Sequence, residues 1–247
     1  MLNIETQMLN VDHINFSYGR TKVLKDVSFM VEPGEIVAIV GANGAGKTTL
    51  MRILAFVLMQ DEGNVNLNGV DPLTRPIKYR KSIGYLSERC PLYEEMQVEQ
   101  YLLYRLKLRG ERASRLRRRI VNALDLCGLR SVANREIRAL SKGYKKRIGL
   151  ADAIIQHPRL LLMDDPLAGL DVDTRQRIGN ALTDYSTHAA VVLTGHEVDE
   201  FINWCTRFIV LTKGGVSATY LSAEYDKQEL KNILKQSVSP ADDGGVR

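Results

Sequence analysis

The sequence predicts an α/β fold with a parallel β-sheet core, an N-terminal antiparallel β region and an inserted α-helical subdomain. Residues 36–40 form an unbroken apolar run, typical of a strand that is covered on both faces. A glycine-rich loop and a helically spaced segment follow it at residues 41–54. Residues 160–163 and 189–194 repeat the pattern of a buried strand, with helical spacing between them.

The N-terminal part of the chain is predicted to form the antiparallel β region. Residues 8–18 alternate apolar and polar side chains, which indicates a half-buried strand, and residues 23–31 predict a second strand. Residues 32–35, EPGE, predict a turn into the buried strand at residues 36–40.

The remaining elements follow from the same patterns. Further strands are predicted at residues 64–68, 81–86, 160–165, 189–194, 208–211 and 215–218. Helices are predicted at residues 98–108, 120–129, 141–155, 173–185 and 223–235. We expect one domain over residues 1–236, with a helical subdomain inserted at about residues 89–157. Residues 237–247, rich in Ser, Pro, Asp and Gly, predict a disordered tail.

An arginine-rich stretch lies between the first two helices of the insert, at residues 109–119. It is either a basic patch for an acidic partner or lipid headgroups, or a solvated helix face.

Composition narrows the class of protein. The net charge of +5 is compatible with an acidic partner or an anionic membrane surface, and it does not predict nucleic-acid binding. Cys90, Cys127 and Cys205 are scattered and lack C-x-x-C spacing, so a reducing, cytoplasmic compartment is expected. No apolar run approaches the ~20 residues that span a bilayer, so we expect no direct membrane insertion.

The loop at residues 41–49, GANGAGKTT, fits the P-loop pattern G-x-x-x-x-G-K-[ST] at every fixed position. Backbone N–H groups in such a loop converge on one anion, and the following helix N-terminus also favours phosphate. Lys47 is predicted to reach the β- and γ-phosphates, and the Thr48 hydroxyl to ligate Mg²⁺. The predicted nucleotide-binding residues here are Gly41, Asn43, Gly44, Ala45, Gly46, Lys47, Thr48 and Thr49. The fold class is therefore that of a P-loop NTPase core.

A second group of polar residues follows the strands on either side of the loop. Because ligands sit at the carboxyl ends of parallel strands, Asp164, Asp165 and His196 are expected at the same edge as the loop. Asp164 is predicted to hold Mg²⁺, and Asp165 to orient or deprotonate the attacking water. His196 is predicted to hold the γ-phosphate or that water. The alternative for the Asp pair is a plain strand-end carboxylate.

Residues 140–144, LSKGY, predict a second phosphate-binding helix start. Ser141 is a suitable N-cap, and Gly143 exposes backbone N–H groups in the first turn. Since the chain already has a P-loop, such a surface makes sense if it closes over the triphosphate held by another subunit.

On these motifs the chain resembles the nucleotide-binding subunit of an ATP-binding cassette (ABC) transporter, over roughly residues 9–221. Residues 41–48 match its Walker A motif, 140–143 with Arg147 its signature motif, 160–164 its Walker B motif and 168–171, ending at Asp171, its D-loop. His196 resembles the switch histidine, and Tyr18 resembles the aromatic that stacks on adenine; a strand-end aromatic is otherwise a packing residue.

The resemblance implies a function and partners. Two subunits, identical or different, would sandwich two ATP molecules, each between one P-loop and the other subunit's Ser141 and Gly143. The helical subdomain would dock on transmembrane permease subunits at the cytoplasmic face of the membrane. Closure on ATP and reopening after hydrolysis would then drive the permease.

Two positions depart from the family pattern. Glu88 stands where most members have Gln; its carboxylate can still ligate Mg²⁺ or water, and with residues 142–144 it is similar to an exporter-type subgroup. Asp165 stands where the general base is usually Glu, so its carboxylate is drawn back by ~1.5 Å. Because a ~1 Å misplacement costs on the order of a hundredfold in rate, slow or partner-dependent hydrolysis is expected.

Two other function classes remain open. One is a cytosolic ABC-type ATPase of DNA repair or translation, although such relatives usually carry a second cassette, a coiled coil or zinc modules. The other is a regulatory clamp that hydrolyses ATP slowly, which Asp165 favours. The sequence does not identify the cargo.

Overall fold

The computed structural model describes residues 8–195 and 198–238 of the 247-residue chain. The strands are β1 (Leu9–Tyr18), β2 (Thr21–Val31), β3 (Ile36–Val40), β4 (Glu62–Leu67), β5 (Ile83–Leu86), β6 (Leu160–Met163), β7 (Ala190–Gly195), β8 (Arg207–Thr212) and β9 (Gly215–Leu221). The α-helices are α1 (Lys47–Leu54), α2 (Pro76–Ser82), α3 (Val98–Leu108), α4 (Ala113–Leu126), α5 (Lys142–Ile154), α6 (Val172–Ser186) and α7 (Lys227–Val238).

The N-terminal sheet is antiparallel, with strand order β2-β1-β4. Its inward face is marked by buried residues of β1, at Leu9, Val11, Ile14 and Phe16. The alternation shifts after Val11 because the pairing with β2 is irregular there, around the left-handed backbone of His13 (φ 51°). The predicted antiparallel region is therefore confirmed.

The second sheet forms the core and has strand order β5-β6-β7-β3-β8-β9. The first five strands in this order, β5, β6, β7, β3 and β8, run parallel, and β9 pairs antiparallel with β8. All five residues of β3 are buried, as the apolar run predicts. Since β5, β6, β7 and β3 point the same way, their carboxyl ends meet at one edge, which is where the candidate site lies.

Two hydrophobic clusters cover opposite faces of this sheet. Ile36, Ala38 and Val40 of β3 face a cluster that includes α3, α4 and α5. Val37 and Ile39 face the other cluster, which includes α1 and the antiparallel sheet. The helical region is thus continuous with the core on one face, and the glycine-rich loop leads into a helix on the other face.

The helical region is confirmed, with one change in its first connection. Helix α4 begins at Ala113, not at residue 120, so most of the arginine-rich stretch is helical. Arginine has a good helix propensity, and the apolar spacing marked only the later, buried turns at Ile120 and Leu124. Arg115, Arg117 and Arg118 are exposed on this helix.

Helix α2 was missed, and the prediction of a strand from residue 81 was wrong for its first two residues. Lys81 and Ser82 end α2, and β5 begins at Ile83. Pro76 occupies the start of this helix, where its missing N–H costs nothing. The buried Tyr79 anchors it by donating a hydrogen bond to the Leu54 carbonyl (2.6 Å).

At the C-terminal end, α7 begins at Lys227 rather than residue 223 and runs to Val238. Residues 237 and 238 therefore belong to the helix and not to the predicted tail. The rest of that predicted tail lies outside the described residues.

Candidate nucleotide site

The glycine-rich loop connects β3 to α1 and folds around the Lys47 ammonium. Lys47 Nζ donates hydrogen bonds to the carbonyls of Gly41 (2.6 Å) and Ala42 (3.0 Å). Gly46, the residue before α1, has φ 103°, a conformation that side chains strongly disfavour. Burial lowers the pKa of Lys47, while the nearby Asp165 and Asp164 act in the opposite direction. The ammonium thus lies within the loop and faces acidic groups.

A cavity of about 370 Å³ opens in front of this loop. It is lined by Val23, Asn43, Gly44, Gly46, Lys47, Thr48, Thr49, Glu88, Asp164, Asp165 and Thr194. Two predicted loop residues, Gly41 and Ala45, are not in its lining: Ala45 is buried, and a Cβ at Gly41 would collide with the Leu211 carbonyl. The structure therefore gathers residues that are up to 171 positions apart, from Val23 to Thr194, around one space.

Asp164 is the most buried acidic group of the cavity, at 2% exposure. Its Oδ1 accepts hydrogen bonds from Thr194 Oγ1 (2.8 Å) and Thr48 Oγ1 (3.1 Å). Burial raises the pKa of the Asp164 carboxyl, and these two hydrogen bonds oppose that rise. Thr194 was not singled out from the sequence, although it is a polar residue within an apolar strand beside Asp164.

The oxygen atoms of Thr48 and Asp164 fit Mg²⁺, which prefers hard oxygen ligands. Within residues 8–195 and 198–238, no group of three or more His, Cys, Asp or Glu side chains forms a metal cluster. A Mg²⁺ ion beside a nucleotide usually takes one or two protein ligands, and phosphate oxygens and water complete its coordination.

Asp165 and Glu88 approach the cavity from the ends of β6 and β5. Asp165 has a left-handed backbone (φ 47°), and its N–H donates to Thr194 Oγ1 (3.0 Å). Lys146 Nζ donates to the backbone carbonyls of Glu88 (2.8 Å) and Asp165 (3.3 Å). Burial lowers the pKa of the Lys146 ammonium. Lys146 was missed at the sequence level, because its partners are carbonyls of distant residues.

The second predicted phosphate site lies outside the cavity. Ser141 caps α5 by accepting a hydrogen bond from the Tyr144 N–H (3.4 Å), as the sequence predicts. Asp171 caps α6 by accepting from the Thr174 N–H (2.8 Å), and this hydrogen bond lowers the pKa of Asp171. A Cβ at Gly143 would lie 3.2 Å from Thr174 Oγ1, so the starts of the two helices are close neighbours.

Two predicted residues remain. Tyr18 ends β1 at 47% exposure, with its ring edge-on to Phe16 at a centroid distance of 4.8 Å, and it does not line the cavity. His196 lies outside the described residues. The preceding Gly195 ends β7 and pairs with Val40, at the edge of the sheet where the glycine-rich loop begins.

Comparisons with known proteins identify the family. The family model described as ABC transporter matches residues 24–168. The uncharacterized ABC transporter ATP-binding protein YxlF of Bacillus subtilis (strain 168) is 30% identical over 231 residues, which cover 94% of this chain and 77% of YxlF. The chain belongs to the ABC transporter family.

A second relative and a solved structure agree with this assignment. The methionine import ATP-binding protein MetN 2 of Salmonella typhimurium (strain LT2) is 35% identical over 212 residues, covering 82% of this chain and 63% of MetN 2. The solved structure of an ATP-binding subunit of an ABC transporter superposes with a TM-score of 0.83 at 26% identity, covering 94% of this chain and 99% of that one. The predicted α/β fold with a P-loop core is confirmed, and the chain is an ATP-binding subunit of the ABC type. Across the described residues, none of the helices is both long and apolar enough to cross a bilayer.

Proposed function

We propose that this chain hydrolyses ATP and that ATP-driven closure of two such subunits powers a membrane transporter. One observation carries the proposal: Lys47, Thr48, Asp164 and Asp165 line the same cavity in front of the glycine-rich loop. A cation, a hydroxyl and two carboxylates around one cavity are the groups that phosphoryl transfer to water requires.

The loop residues are proposed to hold the triphosphate. Backbone N–H groups of residues 43–49 bind the phosphate oxygens, and Lys47 exchanges its two loop carbonyls for the β- and γ-phosphates. Tyr18 is proposed to stack on the adenine. It is the last residue of β1, and the neighbouring strand β2 contributes Val23 to the cavity lining.

The strand ends are proposed to carry the hydrolytic step. Thr48 and Asp164 would hold Mg²⁺, which would supply positive charge to neutralise the charge that develops on the phosphate oxygens. Asp165 orients the attacking water and accepts its proton. Glu88 would hold the metal or that water, and His196 would hold the γ-phosphate or the water. Because Asp165 is one methylene shorter than Glu, hydrolysis is proposed to be slow or to need a partner.

A second ABC subunit, identical or different, is proposed as a partner. Ser141 and Gly143 lie outside the cavity of their own chain, at an exposed helix start, which suits contact with a nucleotide held elsewhere. The helical subdomain, about residues 89–157 within the domain of residues 1–236, is proposed to dock on transmembrane permease subunits at the cytoplasmic face of the membrane. We propose export as the direction because Glu88 and residues 142–144 resemble an exporter-type subgroup, although MetN 2 is named an importer.

The test uses the full chain and Lys47→Ala. Wild type is expected to bind a fluorescent ATP analogue and to release phosphate only with Mg²⁺, whereas Lys47→Ala, which loses the phosphate-facing cation, is expected to lose binding at least tenfold. Lys107→Ala removes an exposed lysine of α3 and is the matched control. Equal analogue binding by wild type and Lys47→Ala would refute the proposed site. Wild type that binds without phosphate release would favour the regulatory clamp.

The transport role has its own test. Tagged chain is purified from membranes of its natural host in mild detergent, and a polytopic membrane protein is expected to co-purify in a fixed ratio. Recovery of the chain entirely in the soluble fraction, together with nucleic acid, would instead support the alternative of a non-transport ATPase.

A further inference from the structure

Lys146 makes contacts that the roles proposed above do not use. It lies in the second turn of α5, is 5% exposed, and does not line the nucleotide cavity. Its ammonium donates to the backbone carbonyls of Glu88 (2.8 Å) and Asp165 (3.3 Å), residues that follow two different strands. A buried ammonium has lost its water, so these hydrogen bonds are costly to remove.

The peptide groups of Asp165 are held on both sides. On one side its N–H donates to Thr194 Oγ1 (3.0 Å), and on the other its carbonyl accepts from Lys146. Between these contacts Asp165 keeps φ 47°, in the left-handed region that non-glycine residues adopt uncommonly. These two contacts hold the backbone from which the Asp165 carboxylate extends.

The helix that carries Lys146 is seated closely on β5 and the loop after it. A Cβ at Gly149 of α5 would collide with the Cys90 sulfur, and a Cβ at Gly84 of β5 would collide with the Ala153 carbonyl. Two glycines thus allow α5 to approach β5 and its loop without intervening side chains. This contact fixes where the Lys146 backbone sits relative to Glu88 and Asp165.

We propose that Lys146 is a positioning residue for ATP hydrolysis: it ties α5 to the backbones of Glu88 and Asp165 and thereby sets the Asp165 carboxylate. The inference rests on the proposed hydrolytic function. It has a consequence for the paired subunits, because Ser141 and Gly143 lie three to five residues before Lys146 at the start of the same helix. A shift of α5 on contact with the other subunit's nucleotide is transmitted through Lys146 to this chain's own cavity.

The test compares Lys146→Met, which keeps the length of the stem and removes the donors, with Lys146→Arg, which restores them. For Lys146→Met we expect kcat to fall about 10- to 100-fold, as for a ~1 Å misplacement, while the KM for ATP changes less than about threefold. Lys146→Arg is expected to recover most of the rate. Lys145→Met is the matched control: its ammonium pairs with Glu94 at the surface (2.8 Å), and we expect kcat within about twofold of wild type.

A second readout separates positioning from a purely structural role. In an Asp165→Asn background, where the carboxylate is already disabled, Lys146→Met is expected to cause little further loss of rate. A structural role would lower the rate equally in both backgrounds, together with analogue binding and Tm.

The outcomes distinguish the two proposals. Wild-type turnover with unchanged kcat in folded Lys146→Met refutes the positioning role alone. Wild type that binds nucleotide without turnover refutes the proposed function and this inference with it. If Lys146→Met does not fold, Lys146→Gln is the second variant, because its two N–H donors sit on a shorter side chain that does not reach the two carbonyls. Full wild-type kcat in folded Lys146→Gln would overturn the proposal.

Discussion

Replacing Asp165 by Glu tests the chemistry of the cavity most directly. Asp165 lines the same space as Lys47 and Thr48, and Glu extends the carboxylate toward the phosphates by ~1.5 Å. Because a ~1 Å error in position costs on the order of a hundredfold, we expect kcat to rise by about 10- to 100-fold in Asp165→Glu. That corresponds to about 1.4–2.7 kcal/mol of activation free energy.

The backbone of residue 165 predicts an opposite effect on stability. Its φ of 47° lies in the left-handed region, where Asp is several-fold enriched and Glu is not. Glu is therefore expected to lower the free energy of unfolding by about 1 kcal/mol. A faster and slightly less stable variant is a distinctive result, since general tightening of the structure would change both quantities in the favourable direction.

The assay is phosphate release at saturating Mg²⁺ and ATP, in steady state and in single turnover, with urea unfolding in parallel. Asp165→Asn, which keeps the size and removes the charge, is expected to bind nucleotide and to keep only a small, measurable fraction of the wild-type turnover. Asp184→Glu, on an exposed turn of α6, is the matched control and is expected to leave kcat unchanged. The reasoning fails if folded Asp165→Glu is no faster, or if wild type already turns over at about 10 s⁻¹, an ordinary enzyme rate.

Three further predictions concern stability. Thr194→Val removes the acceptor of the Asp165 N–H and one of the two hydroxyl donors to the buried Asp164 carboxylate, and it is expected to cost about 1–3 kcal/mol in urea unfolding, with Thr194→Ser as the conservative control. Asp152→Ala removes a carboxylate that pairs with Arg105 (3.1 Å) and Arg109 (3.0 Å). Because both arginine side chains are about a third exposed, we expect the free energy of unfolding to fall by about 1–3 kcal/mol, less than for a fully buried pair. An unchanged free energy of unfolding would contradict this. Hydrogen bonding lowers the pKa of Asp171 below 3.8, so its charge stabilises the fold above that pH and ceases to do so as the pH falls through the lowered pKa. The stability difference between wild type and Asp171→Asn is therefore expected to shrink when the urea midpoint is measured at about pH 3 instead of pH 7.

The sequence predicts those parts of the site that are local in the chain. The glycine-rich loop is specified within nine residues, because the glycines, the lysine and the helix start that the P-loop pattern requires are contiguous in the chain. Ser141 is equally local: its partner, the Tyr144 N–H, lies three residues away, and the cap was predicted correctly. The apolar runs of β3, β6 and β7 also predict these strands from the sequence, since a strand that is covered on both faces has no polar face.

The missed residues are those whose partners are distant or belong to the backbone. Lys146 is 58 residues from Glu88, and a carbonyl partner carries no side-chain signal in the sequence. Thr194 is 30 residues from Asp164, and a threonine inside a strand is expected from propensity alone. The early start of α4 was missed for another reason: its first turns are exposed, so the apolar spacing that reveals buried helices is absent there.

The two faces of the sheet explain why Asp165 and Lys146 should act together. Helix α1, which begins at the glycine-rich loop, packs on one hydrophobic cluster, and α5 packs on the cluster across the sheet. Asp165 lies at the edge between them, held by Lys146 from the α5 side. If that hydrogen bond sets the carboxylate, the rate gained in Asp165→Glu depends on it, and the double variant with Lys146→Met should lose most of the gain. Full retention of the gain, measured as kcat in the same phosphate-release assay, would show that the reach of the carboxylate matters and its support from α5 does not.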